Sequence, residues 1–473
     1  MLYFRFLPFL CFALLSFESY GQNTYCKTDQ KEKDLEWLRR YQKSPSDFSI
    51  DAKRLGMNYV PIKVHIVGDD NGDGYYSLEY LLNSICNLNE DYAPMNIYFY
   101  LWGEINYINN SNYYDHNAFY GGVMFSAHNF SNMLNVYFVN DPDGACGYYS
   151  PIMDAIAIKK SCQTSDDNTL THEIGHYFSM PHTFYGWEGG TPALSDQEKV
   201  ARTGSGSNCS QAADGFCDTD PDYLAYIWGL SNCNSSVLYD PDSVAFQVDP
   251  TNFMSYAYDI CQTKFSSQQQ SAILANLVSQ RPYLLNYSNP SEFNIPQTVN
   301  IIGPLDGESG IPYNWVALQW DTLAGAIGYH VMVTETPSFV SSLIDTIVSE
   351  SYLITELEED ESYRWKVKAL YDGNTCATYN CTSFDCPEFT VGAYSYIEER
   401  ESVKTLYNPI ERTIRIIGEI NYDVLECYDM TGRMLFKNRI NNNSVLLPDE
   451  YKGVILFVFS SKGNYFTKSI FIE

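Results

Sequence analysis

Residues 170–184 read LTHEIGHYFSMPHTF. His172 and His176 are four residues apart, so on a helix they share one face and both imidazoles can reach a single ion. A catalytic zinc takes three protein ligands and leaves the fourth position to water. Glu173 adjoins the first histidine and can reach that water, whose pKa falls toward neutrality on the metal, so the carboxylate can accept its proton. His182 lies six residues past His176, too far to share the helix, and Pro181 opposes helical continuation. The chain must therefore turn back for His182 to complete a triangle. Three of only seven histidines fall in this pattern, which makes chance spacing a poor account.

The stretch follows the zinc-protease signature H-E-x-x-H-x-x-G-x-x-H except at Ser179, which stands where glycine is expected. Glycine there would let the chain leave the helix through positive φ. Serine can follow at a cost of roughly 1 kcal/mol, and three imidazoles on zinc outweigh that. Ser179 is thus expected to loosen the site without abolishing it, and Ser179→Gly to tighten zinc retention. A second element lies about seventy residues on, NFMSY at 252–256. Met254 would form an apolar floor beneath the metal, as in a Met-turn, and the Tyr256 hydroxyl could donate to the oxyanion of a tetrahedral intermediate or touch the metal when substrate is absent.

These motifs in this order resemble the pappalysin family of metzincin peptidases: L-T-H-E-I-G-H-Y-F with H-T-F, then DGFCDTDP at 214–221, NFMSY, and Cys261 followed by KFSSQQ. The upstream VPIKVHIV and NLNEDY also match, so the resemblance covers roughly residues 55–285. It implies a secreted zinc endopeptidase with His172, His176 and His182 as ligands and Glu173 as general base. It also implies calcium near the loop between the zinc motif and the Met-turn, with Asp218 and Asp220 as candidates. Some members cleave beside basic residues through acids after the Met-turn; here Asp259 is the one acid close by, and Ser255 replaces the usual aspartate. Members are often made as zymogens. Cys26, in the pro-segment, could place a thiolate at the open zinc position, as a cysteine switch; the alternatives are a disulfide partner or a spare thiol.

The elements that must position these residues can be read in outline. QKEKDLEWLRRYQ (30–42) reads as a polar helix, YVPIKVHIV (59–67) as a strand, and 78–90 as a helix with Ser77 as N-cap. NIYFYLW (96–102) and LNVYFV (134–139) read as strands. Asp69, Asn71, Asp73 and Gly74 fill the first half of a calcium-loop pattern, but Tyr80 stands at its twelfth position, so a turn is the preferred reading. The active-site helix is expected over 166–178 and another helix over 266–285. Strands separated by helices imply an α/β layer with a mixed sheet.

Beyond a linker at 286–298 the pattern changes to short alternating strands at 316–320, 328–335 and 363–370, with Trp320, Tyr329 and Trp365 as core aromatics. This part resembles a fibronectin type III domain. The last seventy or so residues resemble the C-terminal sorting domain of type IX secretion substrates, through Tyr407-Asn408-Pro409, the Asp429-Met430-Thr431-Gly432-Arg433 turn, Gly453-Val454-Ile455 and the KSIFIE ending. The fold class expected is a multidomain chain: an α/β metzincin catalytic domain, built on a mixed sheet and an active-site helix, followed by two all-β sandwich domains. The expected boundaries are a signal peptide at 1–21, a pro-segment at 22–55, the metallopeptidase domain at 56–287, the fibronectin type III-like sandwich at 297–392 and the sorting domain at 400–473.

Arg5, the apolar run at 6–17, and Ser19 and Gly21 at the −3 and −1 positions of a cut mark a secretory signal peptide. No later stretch reaches eighteen consecutive apolar residues, so no membrane span is expected. The net charge of −29 argues against nucleic acid and anionic lipid as partners. Thirteen cysteines leave twelve once Cys11 departs with the signal, and an even count in an exported chain suggests disulfides whose pairing the sequence leaves open. The expected function is a zinc endopeptidase, secreted or at the cell surface, acting on protein or peptide substrates and exported across the outer membrane through its C-terminal domain. Zn2+ is the expected cofactor, with Ca2+ as a second ion. The competing reading is a catalytically weak or inactive metzincin fold serving as a surface-binding module; retention of Glu173, all three histidines and Tyr256 weighs against it.

Overall fold

The computed structural model describes residues 24–28, 30, 32–48, 56–164, 167–224, 233–290 and, apart from five single positions, 297–386. It also describes seven strands and Arg433 between 404 and 472. The expected signal peptide, residues 291–296 of the expected linker and residues 430–432 of the expected Asp429–Arg433 turn lie outside them. The chain divides into two compact units, residues 1–295 with Tyr371–Cys376, and the remainder.

The first unit contains strands β1 (Thr24–Cys26), β2 (Asn58–Gly68), β3 (Ile97–Leu101), β4 (Asn106–Asn109), β5 (Leu134–Val139), β6 (Ala145–Ser150) and β7 (Ala155–Lys159). Its principal helices are α1 (Glu36–Lys43), α2 (Leu78–Tyr92), α3 (Ala118–His128), α4 (Thr169–Tyr177) and α5 (Ser267–Ser279). One mixed seven-stranded sheet runs β1-β6-β7-β5-β2-β3, with β4 also paired to β2. β2, β3, β4, β5 and β7 are mutually parallel, whereas β6 runs antiparallel to β7. The central strands β2 and β5 are almost wholly buried, as expected where both faces are covered and the sequence is a continuous apolar run. Val60, Ile62, Val64 and Ile66 of β2 share a core with Leu81, Ile85 and Leu88 of α2, Ile174 of α4 and Ile273 of α5. On the opposite face Val67, Tyr137 and Ala157 pack with Met124 and Phe125 of α3. The result is a three-layer α/β unit.

Several expected boundaries shift. The helix expected over 30–42 begins with a 3-10 turn at Glu32–Leu35, so its α part starts at Glu36. The helix expected over 266–285 ends at Ser279 and resumes as a 3-10 turn at Pro282–Asn286, because Pro282 cannot continue it. The half calcium-loop is a turn: Asp69 Oδ1 accepts from the amides of Asn71 at 2.8 Å and Asp73 at 2.9 Å.

All nine residues of α4 are buried, and its ends are tied to distant chain. At the last residue, Arg281 donates from Nε and Nη2 to the Tyr177 carbonyl at 3.0 and 2.7 Å, lies 3.7 Å over the Tyr177 ring, and pairs with Asp154 at 3.0 Å. A cation at a helix C-terminus also complements the dipole. Arg281→Ala is expected to lower the stability of this unit by about 2–3 kcal/mol, read as a fall in its thermal midpoint; an unchanged midpoint would show that the clamp is idle.

In the second unit a three-stranded sheet of β8 (Ile301–Gly303), β10 (Val316–Trp320) and β13 (Tyr352–Thr355) accompanies a five-stranded one. The latter is formed by β9 (Glu308–Ser309), β15 (Asn380–Cys386), β14 (Glu361–Tyr371), β11 (Ala326–Thr334) and β12 (Ile344–Val348). Trp320, Tyr329 and Trp365 are buried, with Trp320 ring centroids 5.4 Å from Tyr329 and 6.1 Å from Trp365. Seven further strands follow in a three-stranded and a four-stranded sheet: β16 (Lys404–Asn408), β17 (Thr413–Ile417), β18 (Val424–Asp429), β19 (Met434–Arg439), β20 (Ser444–Leu446), β21 (Gly453–Ser461) and β22 (Asn464–Ile472).

Among the described residues the disulfides are Cys86–Cys376, Cys146–Cys162, Cys209–Cys217 and Cys233–Cys261, while Cys26, Cys381, Cys386 and Cys427 are free thiols. The even cysteine count therefore does not resolve into complete pairing. No described helix is long and apolar enough to cross a membrane.

Candidate metal centre and active site

His172 and His176 project from one face of α4, and His182 returns to them after a tight turn. The Nε2 atoms of His172 and His182 each lie 3.1 Å from Nε2 of His176. Every Nδ1 is engaged on the far side: His172 with the Phe253 carbonyl at 2.6 Å, His176 with the Met180 carbonyl at 2.7 Å, and His182 with Glu188 Oε1 at 3.1 Å. Those partners only accept, so each Nδ1 carries the proton, and each ring, when neutral, turns an Nε2 lone pair toward a common point. Burial, then repulsion from His182, holds His172 down to about 3, and the same causes with His172 added push His176 far below the usual imidazole range. Three converging lone pairs with nothing between them would repel. Tetrahedral zinc, with Zn–N near 2.0–2.1 Å, separates its nitrogens by roughly 3.3–3.4 Å. The donor set therefore fits such an ion.

Cys26 completes the group. Its sulfur and the three ring nitrogens all lie within 4.8 Å of one another, and all four residues are buried. β1 carries it there by pairing parallel to β6, Cys26 opposite Gly147. Burial and the neighbouring Glu173 push its thiol up. Glu173 is fully buried; burial raises its carboxyl to about 7, while hydrogen bonds from Cys26 and Thr28 act the other way. Thr28 Oγ1 donates to Glu173 Oε2 at 2.8 Å and accepts from the Tyr149 amide at 2.8 Å. Tyr256 donates from its hydroxyl to the Cys26 carbonyl at 3.0 Å, and its ring lies 4.9 Å from that of His182. Met254 is wholly buried beneath α4; a Cβ on Gly175 would come within 2.4 Å of its sulfur. This close approach accounts for glycine inside the HEIGH segment.

Ser179 has φ 68°, the left-handed conformation that the sequence assigns to glycine. It sits in a Schellman turn: Met180 N bonds the Gly175 carbonyl at 3.0 Å and Ser179 N the His176 carbonyl at 2.8 Å. Such a φ costs a non-glycine residue roughly 1–2 kcal/mol. Ser179 Oγ accepts from Asn276 Nδ2 at 3.1 Å, a bond worth about 1 kcal/mol. The two effects nearly cancel, so the gain expected of Ser179→Gly shrinks toward zero.

The remaining sequence candidates lie elsewhere. Asp218 accepts from Ser266 Oγ and the Gln268 amide, both at 2.8 Å, and so anchors the start of α5. With Asp220, Asp222 and Asp249 it lines a cavity of about 380 Å3. Asp222 is buried, which pushes it up to about 7, and accepts from Thr183 Oγ1 at 2.6 Å. Asp259 ties down the start of α4: its Oδ1 accepts from the Asn168 amide at 3.0 Å, and its carbonyl from Asn168 Nδ2 at 2.8 Å. Thr28, Glu188 and Asn276 were not legible in the sequence, since none belongs to a spaced motif. Glu188 alone left a trace, as an acid six residues past His182.

No family model matches this chain. It is similar to an extracellular metalloprotease of Neurospora crassa, 28% identical over 233 residues, 45% of this chain and 72% of the relative. It is also similar to extracellular metalloprotease 1 of Coccidioides posadasii, 29% identical over 234 residues, 44% and 74% of the two chains. Among solved structures, the fibronectin(III)-like modules of Clostridium thermocellum CbhA align at 10% identity over 19% of this chain and 95% of that one, with a TM-score of 0.15. The FN1–FN3 domains of chicken CNTN1 align at 13% identity over 39% and 68%, with a TM-score of 0.17.

Proposed function

We propose that this chain is a secreted zinc-dependent endopeptidase of the pappalysin-like metzincin kind, held here in a latent form. The observation that carries this reading is the convergence of three Nε2 lone pairs whose rings are each fixed through Nδ1. The similarity to fungal extracellular metalloproteases supports both the activity and the export. His172, His176 and His182 would hold the ion. When bound, zinc would supply Lewis acidity and lower the pKa of a water toward neutrality.

The chain's own residues account for the other steps. Glu173, beside the site and buried, would take the proton of the attacking water and deliver it to the leaving amine. Tyr256 already donates to a peptide carbonyl, that of Cys26; after the pro-segment leaves, the same hydroxyl would meet the substrate carbonyl and the charge that develops on its oxygen. Glu188, Phe253 O and Met180 O keep the three rings in the tautomer that ligation needs. In the latent form Cys26 would fill the fourth zinc position as thiolate, and the β1 strand lies along the edge of β6.

Calcium is proposed at the cavity that Asp218 and Asp220 share with Asp222 and Asp249. Since Asp218 already has partners, Asp220 is the freer ligand of the two. Asp259, as an acid near the Met-turn, is retained as a specificity candidate only through its position, because its contacts hold α4. Export through the C-terminal sorting domain is part of the same proposal.

The test is elemental analysis of the purified chain together with casein cleavage after removal of the pro-segment. About one zinc per chain, calcium lost on Asp220→Asn, and cleavage abolished by a chelator are expected. A chain that carries no zinc, or that cleaves equally well with chelator, would refute the reading.

A further inference from the structure

The turn that brings His182 back also aims His176, because the Met180 carbonyl at its end is the acceptor for His176 Nδ1. That carbonyl is placed by Ser179, whose left-handed φ of 68° closes the turn. Ser179 in turn is held by a side chain from another helix. Asn276 lies on α5, is 1% exposed, and donates to Ser179 Oγ at 3.1 Å. Its backbone carbonyl closes the end of α5 and joins it to the Arg281 segment, accepting from the amides of Gln280 at 2.8 Å and Arg281 at 3.3 Å. Four links therefore run in series: α5, the Asn276 amide, the Ser179 turn, and the Met180 carbonyl on the His176 ring.

Resting on the zinc reading above, we infer that Asn276 is a positioning residue for the zinc ligand His176, acting through the Ser179 hydroxyl. It touches neither metal nor substrate. Its work is to keep a non-glycine residue in the conformation that a ligand-bearing turn requires, so serine at this position and asparagine on α5 act as a pair. Outer-shell partners of a ligating histidine typically change metal affinity 10–100-fold. Asn276 stands two links further out, beyond the Met180 carbonyl and the Ser179 turn, so an effect near the lower end is expected.

The experiment is a double-mutant cycle on the full chain, read as the rate of zinc transfer to a chromophoric chelator. Asn276→Leu should speed zinc loss about tenfold, and Ser179→Gly should leave it near the unsubstituted rate, since glycine needs no support at positive φ. In the Ser179→Gly background, Asn276→Leu should have little further effect. The thermal midpoint of the metal-free protein controls for packing, and Asn276→Ala provides a second variant should leucine prevent folding. Equal effects of the Asn276 substitution in both backgrounds would overturn the inference, because it would then act through α5 packing alone. An unchanged rate in Asn276→Leu would overturn it too. A chain that binds no zinc at all would instead defeat the underlying zinc reading.

Discussion

Glu173→Gln is expected to reduce kcat/KM for peptide cleavage by the processed enzyme on the order of 10²–10⁴-fold while leaving zinc bound. Glutamine keeps the shape of the side chain, and at a fully buried position that matters more than charge for folding. It can accept the Thr28 hydroxyl bond that Glu173 Oε2 now accepts. What it cannot do is take a proton from water. The three histidines are oriented by Phe253, Met180 and Glu188 and not by Glu173, so zinc content should not fall. Initial rates on a quenched fluorescent peptide, paired with zinc analysis of the same sample, separate the two effects. Retained activity would remove Glu173 from the mechanism; lost zinc would make it a structural residue.

Cys26→Ala is expected to raise the activity of the uncleaved chain on the order of tenfold or more. The thiol sits within 4.8 Å of all three ring nitrogens, and a thiolate on zinc excludes water from the position that catalysis needs. β1 itself is short, with two residue pairs along β6. Other anchors remain: Arg39 donates to the Asp214 carbonyl at 3.0 Å, Gln30 to the His176 carbonyl at 3.2 Å, and Trp37 to Ser279 at 3.1 Å. Thr28 also continues to occupy Glu173. Activation by Cys26→Ala should therefore be partial, and adding Thr28→Val should increase it further. Peptide cleavage by chains shown by mass to be unprocessed is the measurement. Unchanged latency in both variants would place the block in the helix α1 anchors and not at the metal.

How far the sequence could be read follows from the kind of signal each feature leaves. The histidine triangle was legible because a helix converts a four-residue spacing into a shared face, and the structure brings His172, His176, His182 and Cys26 together. β2 was legible because a strand covered on both faces must be apolar along its whole length. The role of Ser179 was legible only in half. Its positive φ follows from the glycine it replaces, whereas its partner Asn276 is ninety-seven positions away, and nothing in either local pattern announces the other. For Asp218 and Asp259 the structure adds contacts that no local sequence pattern announces. Acids near a site attract functional readings, yet both spend hydrogen bonds on helix starts, a common use of aspartate that proximity alone cannot distinguish. The free thiols Cys381 and Cys386 show likewise that cysteine parity says little about pairing once one thiol has other work.

X-ray absorption at the zinc edge reads the neighbours of the ion that His172, His176, His182 and Cys26 would hold. For the full chain one zinc is expected with three nitrogen neighbours near 2.0–2.1 Å and one sulfur near 2.3 Å, with the sulfur shell lost in Cys26→Ala and a nitrogen lost in His176→Ala. An edge with no zinc, or a shell unaffected by either substitution, would contradict it.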